Sequence, residues 1–540
     1  MEESDKETIF WADKLAEKIV NRKRFHYTDD KIKKQDEFVV KTSASLSGVL
    51  HIGRLSDTIR GDSVFRALKD LGVKAKLIWV AEDMDPLRKI PEGVPKSFSD
   101  YIGVPVSDIP DFYGCHKSYS EHFMSEYLEV IDSFVHNKME KFSMRSEYKN
   151  GSFKPFIKRI VENFSEVKSI VEKYRDEPLP RDWAPWKPVC KNCGKIATTK
   201  IVKIENNKIH YVCEDYDFKT TKAKGCGYKG VADPLNDDGK LMWKSEWAAQ
   251  WAHWNICCEG AGKEYQVPTS AFWINGEICE RILKYPMPEP IFYEHLMIDN
   301  VKMSASLGNV IYPKDWLEVA PPEILRFFYN KRLMKTRSFS WKNLPLIYDE
   351  FDDAQMIYFG IKKLDNEKEE ENIKRLYEIS ALKIEKPLLL SFNHAVLISQ
   401  IFNDENKMLE ALKKTGHYQK EFEERILQRL RYAKKWVFSY APKEYKFELQ
   451  KEPKAVLKEN EKEAVKQVIE ILRRGSLEEA ELHKKFYEIA EKNNMKTQEF
   501  FSMMYRILLD KERGPKLANF LLSLGENGIE ILERAVNKQQ

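Results

Sequence analysis

Residues 37–53 read EFVVKTSASLSGVLHIG. Glu37-Phe38-Val39-Val40 is a short apolar run of the kind that forms a buried strand. It passes into the small, Ser-rich segment Thr42-Ser43-Ala44-Ser45-Leu46-Ser47-Gly48, and then into His51-Ile52-Gly53. Leu55, Ile59, Phe65 and Leu68 follow at helical spacing, with Gly72 placed to cap that helix. In residues 74–80, Ala75, Leu77 and Trp79 alternate as in a second strand. Strand, turn, helix and strand within roughly 45 residues form a βαβ unit, the seed of a parallel sheet.

Upstream, Ile9, Ala12, Leu15, Ala16 and Ile19 stand at helical spacing, so a helix precedes the sheet. From Pro180 to about Pro234 the texture changes to Pro, Lys, Gly and paired cysteines, which reads as a small insert. Strand-and-helix texture returns over 243–283, a polar loop follows at 302–309, and a new region opens over 313–326. The charge run 362–374 reads as a solvated helix end or linker. Beyond it nearly everything to Gln540 has helical periodicity, as at 422–438 and 500–509, and no internal repeat is present.

The 540 residues allow roughly three to four domains at about 150 residues each. Hydrophobic residues at 42% and charged residues at 32% fit a globular chain and exclude a disordered one. The net charge of +4 does not announce a nucleic-acid binder, so any RNA surface must be a local basic patch. The polar start Met1-Glu2-Glu3-Ser4-Asp5 is unlike a signal peptide, and no apolar run approaches the ~18 residues of a membrane helix. Eight cysteines in such a chain point to a reducing, cytoplasmic setting, where they serve as metal ligands or core residues.

Ser47-Gly48-Val49-Leu50-His51-Ile52-Gly53 lies at a strand-to-helix junction. There a helix start offers N–H groups and positive dipole to a phosphate, and Gly48 and Gly53 let backbone approach a nucleotide. His51 can donate to an oxygen gaining charge on the α-phosphate, although alone such a His is more often a cap. Lys302-Met303-Ser304-Ala305-Ser306-Leu307-Gly308-Asn309 suits a phosphate clamp, with Lys302 supplying charge and the serines donors. Alone, it too is an ordinary solvated loop.

Together, in this order and about 250 residues apart, the two resemble the HIGH and KMSKS signatures of class I aminoacyl-tRNA synthetases. Further segments are similar to the class I lysyl-tRNA synthetase family. These are Trp11-Ala12-Asp13, Pro110-Asp111-Phe112-Tyr113-Gly114-Cys115-His116, Trp243-Lys244-Ser245-Glu246-Trp247, Asp349-Glu350-Phe351-Asp352 and Lys511-Glu512-Arg513-Gly514-Pro515-Lys516. They span nearly the whole chain and lie outside any generic catalytic motif.

The resemblance implies an α/β fold: a Rossmann-type parallel-sheet catalytic domain over 1–295 interrupted by a zinc-bearing insert at 187–232. A KMSKS loop and connecting region over 296–345 and an all-α anticodon-binding domain over 346–540 would follow. It implies ATP-dependent activation of lysine and its transfer to tRNA(Lys), with Mg²⁺ accompanying ATP and with no DNA or membrane partner. His51, Lys302, Ser304 and Ser306 would be catalytic; Gly48, His51, Gly53, Arg54 and Lys302 would hold ATP. Ser43, Ser45, Asp83, Trp243, Glu264 and Tyr265 would form the amino-acid pocket.

Read on residues alone, Trp243, Trp247 and Trp251 repeat every four positions, as a core stripe does. The family reading sets Trp243 against the substrate instead. Glu82, Asp83 and Asp85 follow the second strand, where a carboxylate can pair with an ammonium or simply make an acidic turn. Cys190 and Cys193, then Cys213 and Cys226, read as a structural zinc site in spite of a wide last spacing. Cys115, Cys257, Cys258 and Cys279 lack ligand spacing and are expected in the core.

The sequence departs from the family at several positions. Arg54 stands where an Asn is common, Ser45 for a Thr, and Leu307 for the second basic residue of KMSKS. Gly262-Lys263-Glu264-Tyr265 replaces Gly-Lys-Asp-His, and Ala271-Phe272-Trp273-Ile274-Asn275 replaces Ser-Tyr-Asp-Thr-Gly. A paralogue activating another amino acid and a non-catalytic tRNA-binding descendant are therefore the alternatives.

Overall fold

The structure, a computed structural model, describes residues 8–46, 50–90, 94–180, 183–303, 309–475 and 478–538. The chain divides into two compact units. One comprises Met1–Leu317, Pro321–Phe339 and Gly360–Ile384; the other comprises Glu318–Ala320, Ser340–Phe359 and Glu385–Gln540.

The first unit is built on a five-stranded parallel sheet of β1 (Phe38–Ser45), β2 (Ala75–Glu82), β3 (Glu140–Ser143), β4 (Ile256–Gly262) and β5 (Glu289–Tyr293). The order across it is β5-β4-β1-β2-β3. The chain thus leaves β1 first toward β2 and later returns on its other side, which makes the β1/β4 boundary a topological switch point. In such sheets a crevice opens there at the carboxyl ends of the strands.

Helix α1 (Trp11–Asn21) opens the chain and α2 (Ile52–Asp70) connects β1 to β2. β1 runs through Ser45 rather than ending near Val40, because Val40 and Thr42 pack under α2 at Gly61. A Cβ at Gly61 would come within 2.5 Å of Thr42 Cγ2, so glycine sets how closely helix and strand approach. The alternate residues Lys41, Ser43 and Ser45 face the other way, toward α3 (Trp243–His253), which packs with α4 (Ala271–Ile278).

Between β3 and β4 the insert is closed at its base by Trp186–Pro188 pairing antiparallel with Gly239–Leu241. It carries an antiparallel sheet of Thr199–Glu205, Lys208–Cys213 and Lys229–Ala232. Asn206 and Asn207, both at positive φ, make its two-residue hairpin turn. After β5, a second such turn at Asp299 and Asn300 joins Leu296–Ile298 to Val301–Lys302.

The second unit is helical, with amphipathic helices such as Glu459–Arg474, Glu479–Lys492, Thr497–Leu509 and Glu526–Asn537. They close a core of their own around Leu482, Phe486, Phe500, Met503, Leu521 and Leu532. Among the described residues no helix is long and apolar enough to cross a membrane.

Candidate active site at the carboxyl edge of the sheet

His51 is the N-cap of α2, in extended backbone, and its Nδ1 accepts from the Gly53 N–H at 3.1 Å. With Nδ1 accepting, a neutral ring carries its proton on Nε2. Burial, with help from the charges of Arg54 and Lys302, holds the imidazole down to about 4, so this neutral donor form prevails at physiological pH. The first amides of α2 are already engaged. Ile52 N–H donates to Ile311 O at 2.9 Å, Gly53 N–H to His51, and Arg54 N–H to His51 O at 2.8 Å. The junction therefore presents the Nε2–H and the positive helix end, rather than bare N–H groups as expected from sequence.

Gly53 matters for space. A Cβ there would lie 2.6 Å from Met303 Cε and 2.8 Å from His51 Cε1. The buried Met303 of the second signature thus packs directly on the first, and the neighbouring, exposed Lys302 sits close enough to depress His51. Gly48, Ser304 and Ser306 lie outside the described residues.

On the α3 side of β1, Ser43 and Ser45 are half-buried. Ser43 N–H donates to Asp57 Oδ2 at 3.0 Å and Tyr293 Oη–H to Asp57 Oδ1 at 3.3 Å. Burial raises Asp57 to about 6. Gly260 is obligatory here, since a Cβ would fall 1.9 Å from Asp57 Oδ1.

Beneath Ser43 lies an ionic floor. Lys41, wholly buried, donates to Glu259 Oε1 at 2.6 Å and stands 3.6 Å from Glu82 Oε1. Glu259 Oε2 accepts from Trp247 Nε1 at 2.9 Å and Trp251 Nε1 at 2.6 Å, so these two tryptophans are core residues with a polar task.

The three carboxylates after β2 have separate fates. Asp83 Oδ2 accepts from Ser143 Oγ at 2.5 Å and Oδ1 from Arg145 N–H at 2.8 Å, fixing the turn after β3. Asp85 pairs with Lys240 at 3.0 Å. Glu82, register partner of Ser45, accepts from Gln250 Nε2 at 3.2 Å through Oε2, while among the described residues Glu82 Oε1 and Gln250 Oε1 are buried without a hydrogen-bond partner. Burial, only partly offset by Lys41, pushes Glu82 up to about 8.

An aromatic wall adjoins this floor. Trp243 stacks on Trp247 with centroids 4.7 Å apart, and Tyr265 meets Trp247 edge-on at 5.2 Å while hydrogen-bonding to the Trp243 side chain. Asn275, one of the departures from the family, explains how Trp243 is held. Its Oδ1 accepts from Ala248 N–H at 2.9 Å and its Nδ2 donates to Trp243 O at 3.1 Å. Glu264 is exposed and meets His295 Nε2 at 3.1 Å.

Four sulfurs converge in the insert. Cys190 and Cys226 are 3.7 Å apart, Cys193 and Cys213 3.6 Å, and all four lie within 4.8 Å of one another. Four ligands at ~2.3 Å around a tetrahedral zinc are about 3.8 Å apart, so the set fits. Two glycines at positive φ, Gly194 and Gly227, turn the knuckles, and Gly227 N–H donates to Cys213 O across the wide spacing.

A second cluster was not read from the sequence. Cys115, expected in the core, is exposed. Its Sγ lies 3.1 Å from His116 Nδ1, 3.2 Å from His122 Nδ1 and 3.3 Å from Asp111 Oδ2. Cys115, His116 and His122 border a cleft of about 440 Å³ that reaches Leu50, next to His51. The spacing Asp-x3-Cys-His-x5-His was the available signal. Cys257, Cys258 and Cys279 are buried as expected.

A family model described as tRNA synthetases class I (K) matches residues 9–383. The lysine–tRNA ligase of Methanosphaera stadtmanae is 31% identical over 537 residues, covering 96% of this chain and 97% of its own. Those of Methanocaldococcus jannaschii and Thermococcus kodakarensis are 32% and 34% identical, each over 96% of this chain and 98% and 97% of their own. Among solved structures, a glutamate tRNA ligase from Elizabethkingia meningosepticum aligns over 93% of this chain and 100% of its own at 12% identity. Its TM-score of 0.40 is too low to bear on the fold described above.

Proposed function

This chain belongs to the class I (K) tRNA synthetases, and we propose that it is a lysine–tRNA ligase working at the carboxyl-edge crevice. Lysine attacks the α-phosphate of ATP to give lysyl-adenylate with release of pyrophosphate, and the lysyl group then passes to the 3′ end of tRNA(Lys). The observation that carries the reading is the packing of Met303 on Gly53 and His51, which brings together two signatures about 250 residues apart.

In this reading the neutral His51 donates Nε2–H to the phosphate oxygen that gains charge, and Lys302 adds its cation from the hairpin beside it. Ser304, Ser306, Gly48 and Arg54 complete the ATP side, and Mg²⁺ enters with ATP. Removing one such preorganised donor typically costs ~3–4 kcal/mol of transition-state stabilisation. Ser43, Ser45, Trp243, Tyr265 and Glu264 border the amino acid. Glu82 takes its ammonium in preference to Asp83, because both Asp83 oxygens accept hydrogen bonds while Glu82 Oε1 accepts none among the described residues and faces only the Lys41 ammonium at 3.6 Å. Cys190, Cys193, Cys213 and Cys226 would hold zinc as a structural clamp on the insert. Asp111, Cys115, His116 and His122, whose ligand atoms also lie within 4.8 Å of one another, would hold a second cation.

The test is ATP–pyrophosphate exchange across all proteinogenic amino acids, with and without tRNA, beside a Lys302→Ala control. Lysine alone should support exchange, and the control should lose about a hundredfold or more. Exchange with another amino acid, or with none, overturns the lysine assignment.

A further inference from the structure

Arg60 stands in the third turn of α2 and is 2% exposed, a cation taken almost wholly out of water. A buried charge ordinarily needs an opposite charge and a full set of hydrogen bonds. Among the described residues Arg60 has neither. It forms no ion pair, its Nη1 donates to Ser56 Oγ one turn back, and its Nε is buried without a partner. The guanidinium lies instead over two phenol rings, 4.8 Å from the centroid of Tyr293 and 5.2 Å from that of Tyr329. Such ring faces attract a cation most strongly when it is desolvated. Asp57 is near enough to favour the charge without pairing with it.

The bond to Ser56 fixes the direction of this side chain. Helical side chains lean toward the helix N-terminus, so the guanidinium points along α2 toward His51 and the carboxyl edge of the sheet.

Each of the two rings donates a hydrogen bond, and the two bonds lead to different halves of the crevice. Tyr329, buried in the helix Pro322–Asn330, donates Oη–H to Ile52 O at 2.9 Å. Ile52 follows His51, and its N–H donates to Ile311 O, so the residue that starts the ATP-side helix is held on both its amide and its carbonyl. Tyr293, at the end of β5, donates to Asp57, whose other oxygen accepts from Ser43 N–H on β1. Ser43 belongs to the amino-acid side.

We propose that Arg60 is a positioning residue for adenylate formation, holding the helix start at Ile52, beside His51, in register with the strand that carries Ser43. The proposal rests on the ligase reading and adds to it the residue that keeps the two substrates aligned. Arg60 touches neither of them. For stability alone a buried cation is a poor choice, since an apolar side chain of similar volume usually serves as well or better. Without the cation the two rings are free to move separately. A carboxylate attacking the α-phosphate tolerates little of that, because a displacement of about 1 Å can cost on the order of a hundredfold in rate.

The experiment is a mutant cycle of R60M, Y293F and Y329F in the full chain, read as kcat per titrated active site in amino-acid-dependent ATP–pyrophosphate exchange. R60M should lower kcat about tenfold or more, with KM for lysine and ATP within about twofold of wild type. Y293F and Y329F should each lower kcat about threefold or more in the wild-type background, the loss expected of one hydrogen bond. Neither should lower it further in the R60M background, as residues acting through one partner are not additive. R60K, which keeps a charge against the rings, should recover most of kcat. Titration of active sites removes any misfolded fraction, so a role in stability alone leaves kcat unchanged.

Wild-type kcat in R60M, or phenol losses that persist undiminished without the cation, overturn the proposal. If R60M does not fold, Y293F/Y329F decides: a double variant no worse than its worse single supports the link, and multiplied losses overturn it. Wild-type exchange with an amino acid other than lysine sinks the lysine reading alone, and the cycle is then measured with that amino acid. No exchange with any amino acid overturns both.

Discussion

Lys41 is an ammonium wholly inside the sheet, and its burial is tolerated because Glu259 pairs with it at 2.6 Å. Two tryptophan N–H groups hold Glu259 in turn, while Glu82 Oε1 stands 3.6 Å from Lys41 and accepts no hydrogen bond among the described residues. With its carboxyl pushed up to about 8 by burial, Glu82 is protonated in the free protein at neutral pH. An ammonium arriving there favours the carboxylate, so lysine binding releases this proton and KM for lysine should fall as pH rises toward 8. Glu82→Gln should raise KM for lysine about tenfold or more, flatten that pH dependence and leave KM for ATP alone; an unchanged KM would remove Glu82 from the crevice. The same shift has a stability consequence of fixed sign. Between the ordinary value of 4.5 and 8 the folded chain keeps a proton the unfolded chain has lost, so stability falls as pH rises through that window. The glutamine variant should melt with a weaker pH dependence there. Sequence alone offered Glu82, Asp83 and Asp85 as equals, because which oxygens are engaged depends on Ser143, Arg145, Lys240 and Gln250 from distant segments.

The elements that carry the site were legible where local chemistry sets them. The βαβ start was visible from apolar periodicity, although β1 extends five residues further than that pattern suggested. Ser43, Ala44 and Ser45 lack strong β-propensity and are extended because β2 pairs with them in register. The cysteine knuckles were legible for a different reason, since a turn that brings two sulfurs to one metal needs fixed spacing and a glycine at positive φ. The wide gap from Cys213 to Cys226 closes through strand pairing, which spacing does not encode. The insert's packing depends on these knuckles, so the protein should carry two equivalents of zinc-like metal by elemental analysis. Cys213→Ser should lose one and lower the melting temperature, whereas Cys115→Ser should lose the other. One equivalent that survives Cys213→Ser but not Cys115→Ser would reverse the assignment of the structural site.

At the scale of the molecule, each unit closes a core of its own: one around Ile78, Val80, Trp186, Trp251 and Phe272, the other around Phe486, Phe500, Met503 and Leu521. Heating should therefore resolve two calorimetric transitions, with chelation shifting only one of them. A single transition whose calorimetric and van't Hoff enthalpies agree would contradict this. The sequence by itself determined the parallel-sheet start, the helical remainder, the cysteine set and the family, because periodicity, ligand spacing and short motifs are local patterns. Only the tertiary structure decided that Met303 sits on Gly53, that His51 is neutral with its proton on Nε2, that Glu82 is buried beside Lys41, and that Cys115 joins Asp111, His116 and His122. Each of these depends on burial and on partners that local patterns do not fix, and desolvation, hydrogen-bond saturation and packing act on the atoms that meet.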